Sequence, residues 1–334
     1  ALVCKFTTEN SVIRTTGTLS PDNTIGCLVP PGKDSTTVAL SYNNDHDYFS
    51  TTATYTYHSA LSLSAITPKS GPTSGGTTII ITGEGFFSSD SILCSFSHSP
   101  ETPTLATYVS PTTLRCDTPP SAESQTSIIE LTVNNNDFTL SDLQFSYHSP
   151  PAAISAKPDH GSISDSDNFI TVRGTDFLNV KTLTCHVRHS CDDNTGEDLY
   201  TLPAEYVSPT SVHCLRSAAA TVSAETSSDT TVYIKVSNNG HDISSTSCAP
   251  FTYAPSPILH SFTPKTGPST QKTQITMSGA NFIDSETSMC KFSSSTTQNE
   301  VVVPATFSTD EEVVCESPKS FDVTDTAVLS ITTN

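Results

Sequence analysis

Tryptophan is missing from the 334 residues, methionine occurs twice, and basic residues are scarce: 15 Lys and Arg stand against 34 Asp and Glu, a net charge of −19. Such a surface repels phosphate backbones, and no local basic cluster offsets it, so nucleic acid is excluded as a partner. Long apolar runs are lacking too. No window approaches the roughly 18 to 20 consecutive apolar residues that cross a bilayer, so this segment carries no membrane-spanning helix. The opening "ALVCKFTTEN" has neither the charged nor the apolar region of a signal peptide. Signatures of catalysis are absent as well: there is no Gly-x-Ser-x-Gly elbow, His-Glu-x-x-His helix, phosphate-binding glycine loop or paired-carboxylate pattern. The expectation is a chain that is not an enzyme and takes no cofactor. No Asn-x-Ser/Thr sequon occurs either, so any sugar must be linked through Ser, Thr or a modified Pro.

Ser and Thr, by contrast, make up nearly a third of the chain. Stretches rich in Val, Ile, Thr, Tyr and Phe recur between Gly, Pro, Asn and Asp, which is an all-β composition. The length suits two to four domains at about 100 to 150 residues each, and the chain repeats itself at a period of about 90 residues. An opening strand and turn read "ITPKSGP", "AKPDHGS" and "FTPKTGP", beginning at Ile66, Ala156 and Phe262. Each leads into a β run ending in Gly-x-x-Phe: Gly83 with Phe86, Gly174 with Phe177, Gly279 with Phe282. A Cys-x-apolar strand follows ("CSF", "CHV", "CKF", and "CKF" again at Cys4). Then come "ATYVSPTTLRC", "AEYVSPTSVHC", "ATFSTDEEVVC" and, more weakly, "TGTLSPDNTIGC". Paired Asn, Gly and Asp residues mark a closing hairpin in "VALSYNNDHDYFSTTATYTY", "LTVNNNDFTLSDLQFSY" and "IKVSNNGHDISSTSCAPFTY". The units so defined are 1–60, lacking its opening strands; 61–150, complete; 151–256, complete with an insertion; and 257–334, lacking its final strand. A window on a longer tandem array explains the partial ends; acceptance of a strand from a neighbouring chain by β-augmentation is the alternative.

The Pro-x-x-Gly-Pro turn, the run "GGTTIIITGEGF", the Cys-bearing strand and the closing Phe-x-Tyr resemble the IPT/TIG domain across essentially the whole chain, most strongly in the unit from Leu61. The resemblance implies an immunoglobulin-like sandwich of two antiparallel sheets, as occurs in plexin-type receptor ectodomains, surface and secreted proteins, some starch-acting enzymes and a group of transcription factors. Short strands spaced by turn signals require the same architecture, though without tryptophan the core is not of the antibody type. The unit from Pro151 departs from the pattern, with Asp159, His160 and Ser162 where its neighbours carry "KSGP" or "KTGP". Pro-fixed connections such as "FSYHSPPAAISAKP" and "FTYAPSPILHSFTP" would stiffen the junctions, so the tandem sandwiches are expected to form an elongated rod.

The repeat sorts eight of the ten cysteines into four equivalent pairs: Cys4 with Cys27, Cys94 with Cys116, Cys185 with Cys214, and Cys290 with Cys315. Cys191, in the inserted "RHSCDDNTGEDLY", and Cys248 are left for a fifth bridge. Stable disulfides place a protein outside a reducing cytosol. Zinc is the competing reading of the unit from Pro151, where His186, His189 and His213 crowd the cysteines. Against it, the same two Cys positions recur in units without matching histidines. Acidic clusters at Asp45 and Asp47, Asp165 and Asp167, and Asp192 and Asp193 could hold calcium or simply close turns. Ser or Thr beside Pro marks candidate O-glycosylation positions at Ser99, Thr102, Ser149, Pro150 and Ser256.

The function expected from these features is a non-enzymatic extracellular structural array that self-associates to form or decorate a cell-surface or secreted fibre, with O-linked glycans. The alternatives are the ectodomain stalk of a receptor or adhesin, and the accessory modules of a secreted carbohydrate-active enzyme.

Overall fold

The computed structural model describes residues 2–89, 91–134, 137–162, 169–192, 198–215, 230–243, 247–268, 270–285, 288–294, 300–319 and 327–332. Among them every regular element is a β-strand, in keeping with the composition. By internal contacts the chain divides into two units, one of Ala1–Thr67, Ile80–Cys116 and Ile128–Leu143, the other of Pro68–Ile79, Asp117–Ser127 and Gln144–Asn334.

The sandwich built from the Pro151 repeat shows the plan in full. One layer pairs Ala152–Lys157, Phe169–Thr175, Ser211–Leu215 and the second half of Tyr200–Ser208. The other pairs the first half of Tyr200–Ser208 with Thr184–Arg188, Thr230–Ser237, Ala249–Ala254 and the short His160–Ser162. Because side chains alternate across a strand, Ile170 and Val172 from one layer meet Cys185, Val187, Val232, Ile234 and Phe251 from the other in a fully buried core. The last repeat is built likewise, with Glu300–Thr309 as the strand shared between layers and a core around Met277, Phe282, Phe292 and Val313. In the Leu61 repeat the shared strand breaks into Thr104–Leu105 and Thr107–Ser110 at buried Ala106. In the first repeat Val12–Leu19 pairs with Val3–Thr7 and then with Ile25–Cys27.

At the crossover between layers a small residue faces the second half-cystine in three repeats: Gly17 opposite Cys27, Ala204 opposite Cys214, Ala305 opposite Cys315. The Sγ atoms must pass between the sheets there, and a Cβ on Gly17 would already meet Cys4 Sγ at 3.0 Å. The Gly-x-x-Phe motif has an equally local cause. A Cβ at Gly83, Gly174 or Gly279 would overlap the carbonyl oxygen of Ser62, Ala152 or Ile258 on the neighbouring strand, and would strike the ring of Phe86, Phe177 or Phe282. Each glycine thus lets a bulged strand and a phenyl ring close on the same spot.

One segment differs from its sequence expectation. The Gly-containing turns at "SGP" and "HGS" are short strands, Ser70–Pro72 and His160–Ser162, running parallel to the closing strands Gln144–His148 and Ala249–Ala254. Ser146 N donates to Lys69 O at 2.9 Å, Thr73 N to His148 O at 2.8 Å, and Thr252 N to Asp159 O at 2.9 Å. Gly71 permits the approach, since a Cβ there would lie 2.8 Å from the ring of Phe145 and run into the hydroxyl of Thr77.

Candidate interaction sites

All ten cysteines are bonded, as Cys4–Cys27, Cys94–Cys116, Cys185–Cys214, Cys191–Cys248 and Cys290–Cys315, with Cα separations of 5.8 to 6.4 Å, inside the span a disulfide bridges. Cys185–Cys214 runs from Thr184–Arg188 in one layer to Ser211–Leu215 in the other, and Cys290–Cys315 makes the same crossing in the last repeat. Cys191–Cys248 ties the inserted stretch to the approach of the closing strand. No thiolate is left to bind a metal.

Beside that fifth bridge, the outer face of Thr184–Arg188 carries a polar network. With Cys185 and Val187 pointing into the core, Thr184, His186 and Arg188 face outward. His186 Nδ1 lies 2.7 Å from Asp198 Oδ2, Arg188 Nε donates to Asp198 Oδ1 at 2.7 Å, and Thr184 Oγ1 sits 3.0 Å from His186 Nε2. Lys235, opposite His186 on the next strand, is completely buried. Burial acts to raise the Asp198 pKa, but hydrogen bonds and charge from His186 and Arg188 outweigh it and hold the carboxyl below its ordinary value. The three histidines weighed as zinc ligands do not converge: His186 is committed to Asp198, His189 is exposed, and His213 stacks on Phe169 in the other layer with centroids 3.9 Å apart. Among the described residues no cluster of His, Cys, Asp or Glu is arranged to hold a metal ion.

The acidic positions serve turns. In three successive repeats the closing hairpin is folded by one hydrogen-bond pattern, in which an Asn side chain donates to an Asp carboxylate and accepts from that Asp's backbone N–H. Asn43 Nδ2 lies 2.7 Å from Asp47 Oδ2, Asn134 Nδ2 2.8 Å from Asp137 Oδ2, and Asn239 Nδ2 2.6 Å from Asp242 Oδ2. The returning N–H bonds are 2.9, 2.9 and 2.8 Å. A preceding hydroxyl, on Ser41, Thr132 or Ser237, donates to the Asn Oδ1. This is an Asx-type closure, which suits Asn and Asp for turns. Asp45 is held by Arg14 at 2.8 Å, and Asp192 N donates to Ser190 Oγ at 3.2 Å. Asp165, Asp167 and Asp193 lie outside the described residues.

In one of these hairpins the pair also reaches the preceding repeat. Asn239 Nδ2 donates to Ser70 O at 2.8 Å, and Thr77 Oγ1 donates to Asp242 Oδ2 at 2.6 Å. Thr77 and Asn239 are buried, and Thr77 is fixed by two backbone-directed bonds with Thr118, Thr77 N to Thr118 Oγ1 at 3.1 Å and Thr118 N to Thr77 O at 3.0 Å. A pin of one Asn and one Asp thus enters a socket of one carbonyl and one hydroxyl. The sequence marks Asn239 and Asp242 only as turn residues; their partners, 169 and 165 positions away, become visible only when the fold brings the segments together.

Of the Ser/Thr–Pro positions, Thr102, Ser149, Pro150 and Ser256 are exposed and Ser99 is partly so. Ser99 Oγ and Thr102 Oγ1 bond each other at 2.6 Å.

Fold and bridges together define a protein of tandem, disulfide-stapled β-sandwiches of immunoglobulin type. Residues 61–147 and 257–334, just under half of the chain, match the IPT/TIG domain, so the chain carries IPT/TIG domains in those two regions. No curated protein matches the chain in sequence. Among solved structures it is similar to the full extracellular region of plexin A4 (13% identity, TM-score 0.40, covering 96% of this chain and 32% of that one). It is also similar to the chicken CNTN1 FN1–FN3 domains (10%, 0.24, 79% and 88%) and to FdeC, an Escherichia coli adhesin (12%, 0.25, 83% and 91%). The chain spans about a third of the length of that plexin A4 chain.

Proposed function

We propose that the chain is a non-catalytic extracellular spacer, an array of IPT/TIG modules that sets distances at a cell surface or in a secreted assembly. One observation carries the reading: each repeat has its own disulfide and no cysteine is left free, the pattern of a chain that folds in an oxidising compartment. An acidic, hydroxyl-rich surface suits a hydrated extracellular setting. The finer reading is that copies self-associate into, or decorate, a fibre bearing O-linked glycans on exposed positions such as Thr102, Ser149, Pro150 and Ser256. A receptor or adhesin stalk differs from this by ending in a membrane anchor rather than in another copy.

Thiol labelling and intact mass of the native protein, with surface labelling of unpermeabilised cells, test the reading. Protection of all ten cysteines and surface exposure are expected; free thiols in a cytosolic protein would overturn it. An intact mass of 35.5 kDa for the 334-residue chain secreted from its own cells, the value of the bare polypeptide, would remove the glycan part.

A further inference from the structure

The five bridges differ in what a reagent in solution can reach. Cys94–Cys116, Cys185–Cys214 and Cys290–Cys315 have both half-cystines buried. Cys27 is partly exposed, but its partner Cys4 is fully buried. Cys191–Cys248 is the one bridge whose two cysteines are both partly exposed. Exposure acts twice in thiol–disulfide exchange: a thiolate has to reach one sulfur, and the other has to leave as a thiolate, faster the better its charge is stabilised. A Cys4, Cys94 or Cys185 thiolate would be displaced into a buried site, where the charged form is disfavoured and the sulfur leaves poorly. Either sulfur of Cys191–Cys248 is displaced toward solvent.

The plan of the sandwich does not depend on this bridge. Cys191–Cys248 ties the inserted stretch to the approach of Ala249–Ala254, whereas Cys185–Cys214 spans the two layers of the same sandwich inside its core. The last repeat builds the same two layers with its interlayer bridge alone. With Cys191–Cys248 open, the bonds of Asp198 to His186 and Arg188 still fasten the insertion to Thr184–Arg188. The net charge of −19 does not bar an anionic thiol here, because Arg188 and His189 stand before Cys191 and balance the acidic residues that follow it.

We propose that Cys191–Cys248 is a thiol-exchange site that takes small monothiols of the glutathione type. The thiolate attacks the Sγ of one cysteine, the S–S bond breaks, and the other Sγ leaves as a thiolate and takes up a proton. The product is a mixed disulfide beside a free thiol. A second monothiol displaces the first from the mixed disulfide, so two thiols are oxidised to one disulfide for each bridge reduced. The inference goes beyond the spacer reading: four bridges keep the repeats stapled, and the fifth answers to the thiol level around the chain.

The test uses the whole 334-residue chain, oxidised and without denaturant, in millimolar reduced glutathione near the ordinary thiol pKa of about 8.5. Samples are quenched with a maleimide and mapped by peptide mass. Cys191 and Cys248 should open at least about a hundredfold faster than any other pair, since the others wait for a sandwich to unfold. Early samples should carry glutathione on one of the two and maleimide on the other, with the far-ultraviolet circular dichroism of the strands retained. A Cys191→Ser, Cys248→Ser double variant should lose the fast phase and keep the slow ones; should it fail to fold, the mapping of the parent chain decides alone. Equal rates for all five bridges, another pair opening first, collapse of the strand signal on opening, or a fast phase that survives in the double variant would overturn the site. Five equally resistant bridges would leave the spacer reading standing, whereas free thiols at the interlayer pairs of the native protein would sink the spacer reading and not the exchange site.

Discussion

Gly174→Ala puts the packing logic of the repeat to its sharpest test. The new Cβ would overlap the Ala152 carbonyl oxygen and lie 2.7 Å from Phe177 Cζ. The ring, 1% exposed, has no space to retreat into. Overpacking of this kind costs about 1 to 3 kcal/mol. Moving the Ala152–Lys157 strand aside would in addition strain the Ala153–Gly174 register and the Gly174 N to Thr210 O bond of 3.0 Å, at about 1 kcal/mol each. The expected loss is about 3 to 5 kcal/mol, a large share of the roughly 5 to 15 kcal/mol that holds a small domain. Hydrogen exchange on the whole chain reads it locally: protection in Phe169–Thr175 and Ser211–Leu215 should fall at least about a hundredfold, while the Gln274–Ala280 strand of the last repeat serves as internal reference. Phe177→Ala separates the two clashes. Because the overlap with the carbonyl is deeper than that with the ring, Gly174→Ala should still cost about 2 kcal/mol or more in the Phe177→Ala background. Gly76→Ala is the control. Nothing lies within 4 Å of its added Cβ and only its φ of +80° opposes the change, so about 1 kcal/mol is expected. A Gly174→Ala protein within about 0.5 kcal/mol of the parent, the range of ordinary surface changes, would refute the argument.

Four further outcomes are expected. Replacing Cys191 and Cys248 by Ser should cost the sandwich that contains them up to about 4 kcal/mol, because the 57-residue separation makes this the longest loop any bridge closes; chemical denaturation monitored by exchange in Thr230–Ser237 measures it. The Asp198 carboxyl has its pKa lowered in the folded chain, so its contribution is present above the ordinary carboxylate pKa and is lost as pH falls through the lower folded value. Exchange at Leu199 and Tyr200 should therefore rise only in acid below about pH 4, and Asp198→Asn should show that looseness at neutral pH. Burial, opposed by a hydrogen bond with Thr118, pushes the Tyr147 phenol up to about 12. Since ionisation is disfavoured in the fold, Tyr147 contributes stability that is lost as pH climbs above about 10, and ultraviolet titration should find one phenol ionising near 12 unless the chain unfolds first. In the internal joint, a double-mutant cycle of Thr77→Val and Asp242→Ala should give a coupling of about 1 to 2 kcal/mol, the range of a charge-assisted bond; zero coupling would show the pair to be mere neighbours.

Fold class was legible because it is written by repetition. Gly83, Gly174 and Gly279 recur at one place before a Phe, and the structure supplies the reason in a carbonyl and a ring that leave no room for a Cβ. Strand alternation around Cys185 and Cys290 was likewise readable, since burial acts residue by residue. What escaped was whatever depends on two distant segments meeting. The parallel pairing of Ser70–Pro72 with Gln144–His148 hides in a Gly-Pro stretch that reads as turn, because three residues are too few to show a period. Asp198 sits in an insertion without counterpart in the other repeats, so nothing in the pattern linked it to His186. Asn239 and Asp242 satisfied the turn signal completely, which concealed their second task against Ser70 and Thr77.

The parallel pairing of opening and closing strands has a mechanical consequence. Past the first strand of each sandwich, Ser62–Thr67 or Ala152–Lys157, the chain lays Ser70–Pro72 alongside Gln144–His148, and His160–Ser162 alongside Ala249–Ala254, so that a strand near the entry and the closing strand are neighbours that point the same way. Tension between the two ends therefore drags one strand lengthwise past the other, and the bonds from Ser146 to Lys69, Thr73 to His148 and Thr252 to Asp159 are stretched together in shear instead of being unzipped one at a time. Each such sandwich should yield as a unit under pulling, leaving its disulfide-closed loop still folded back on itself and the extension short of the full contour length.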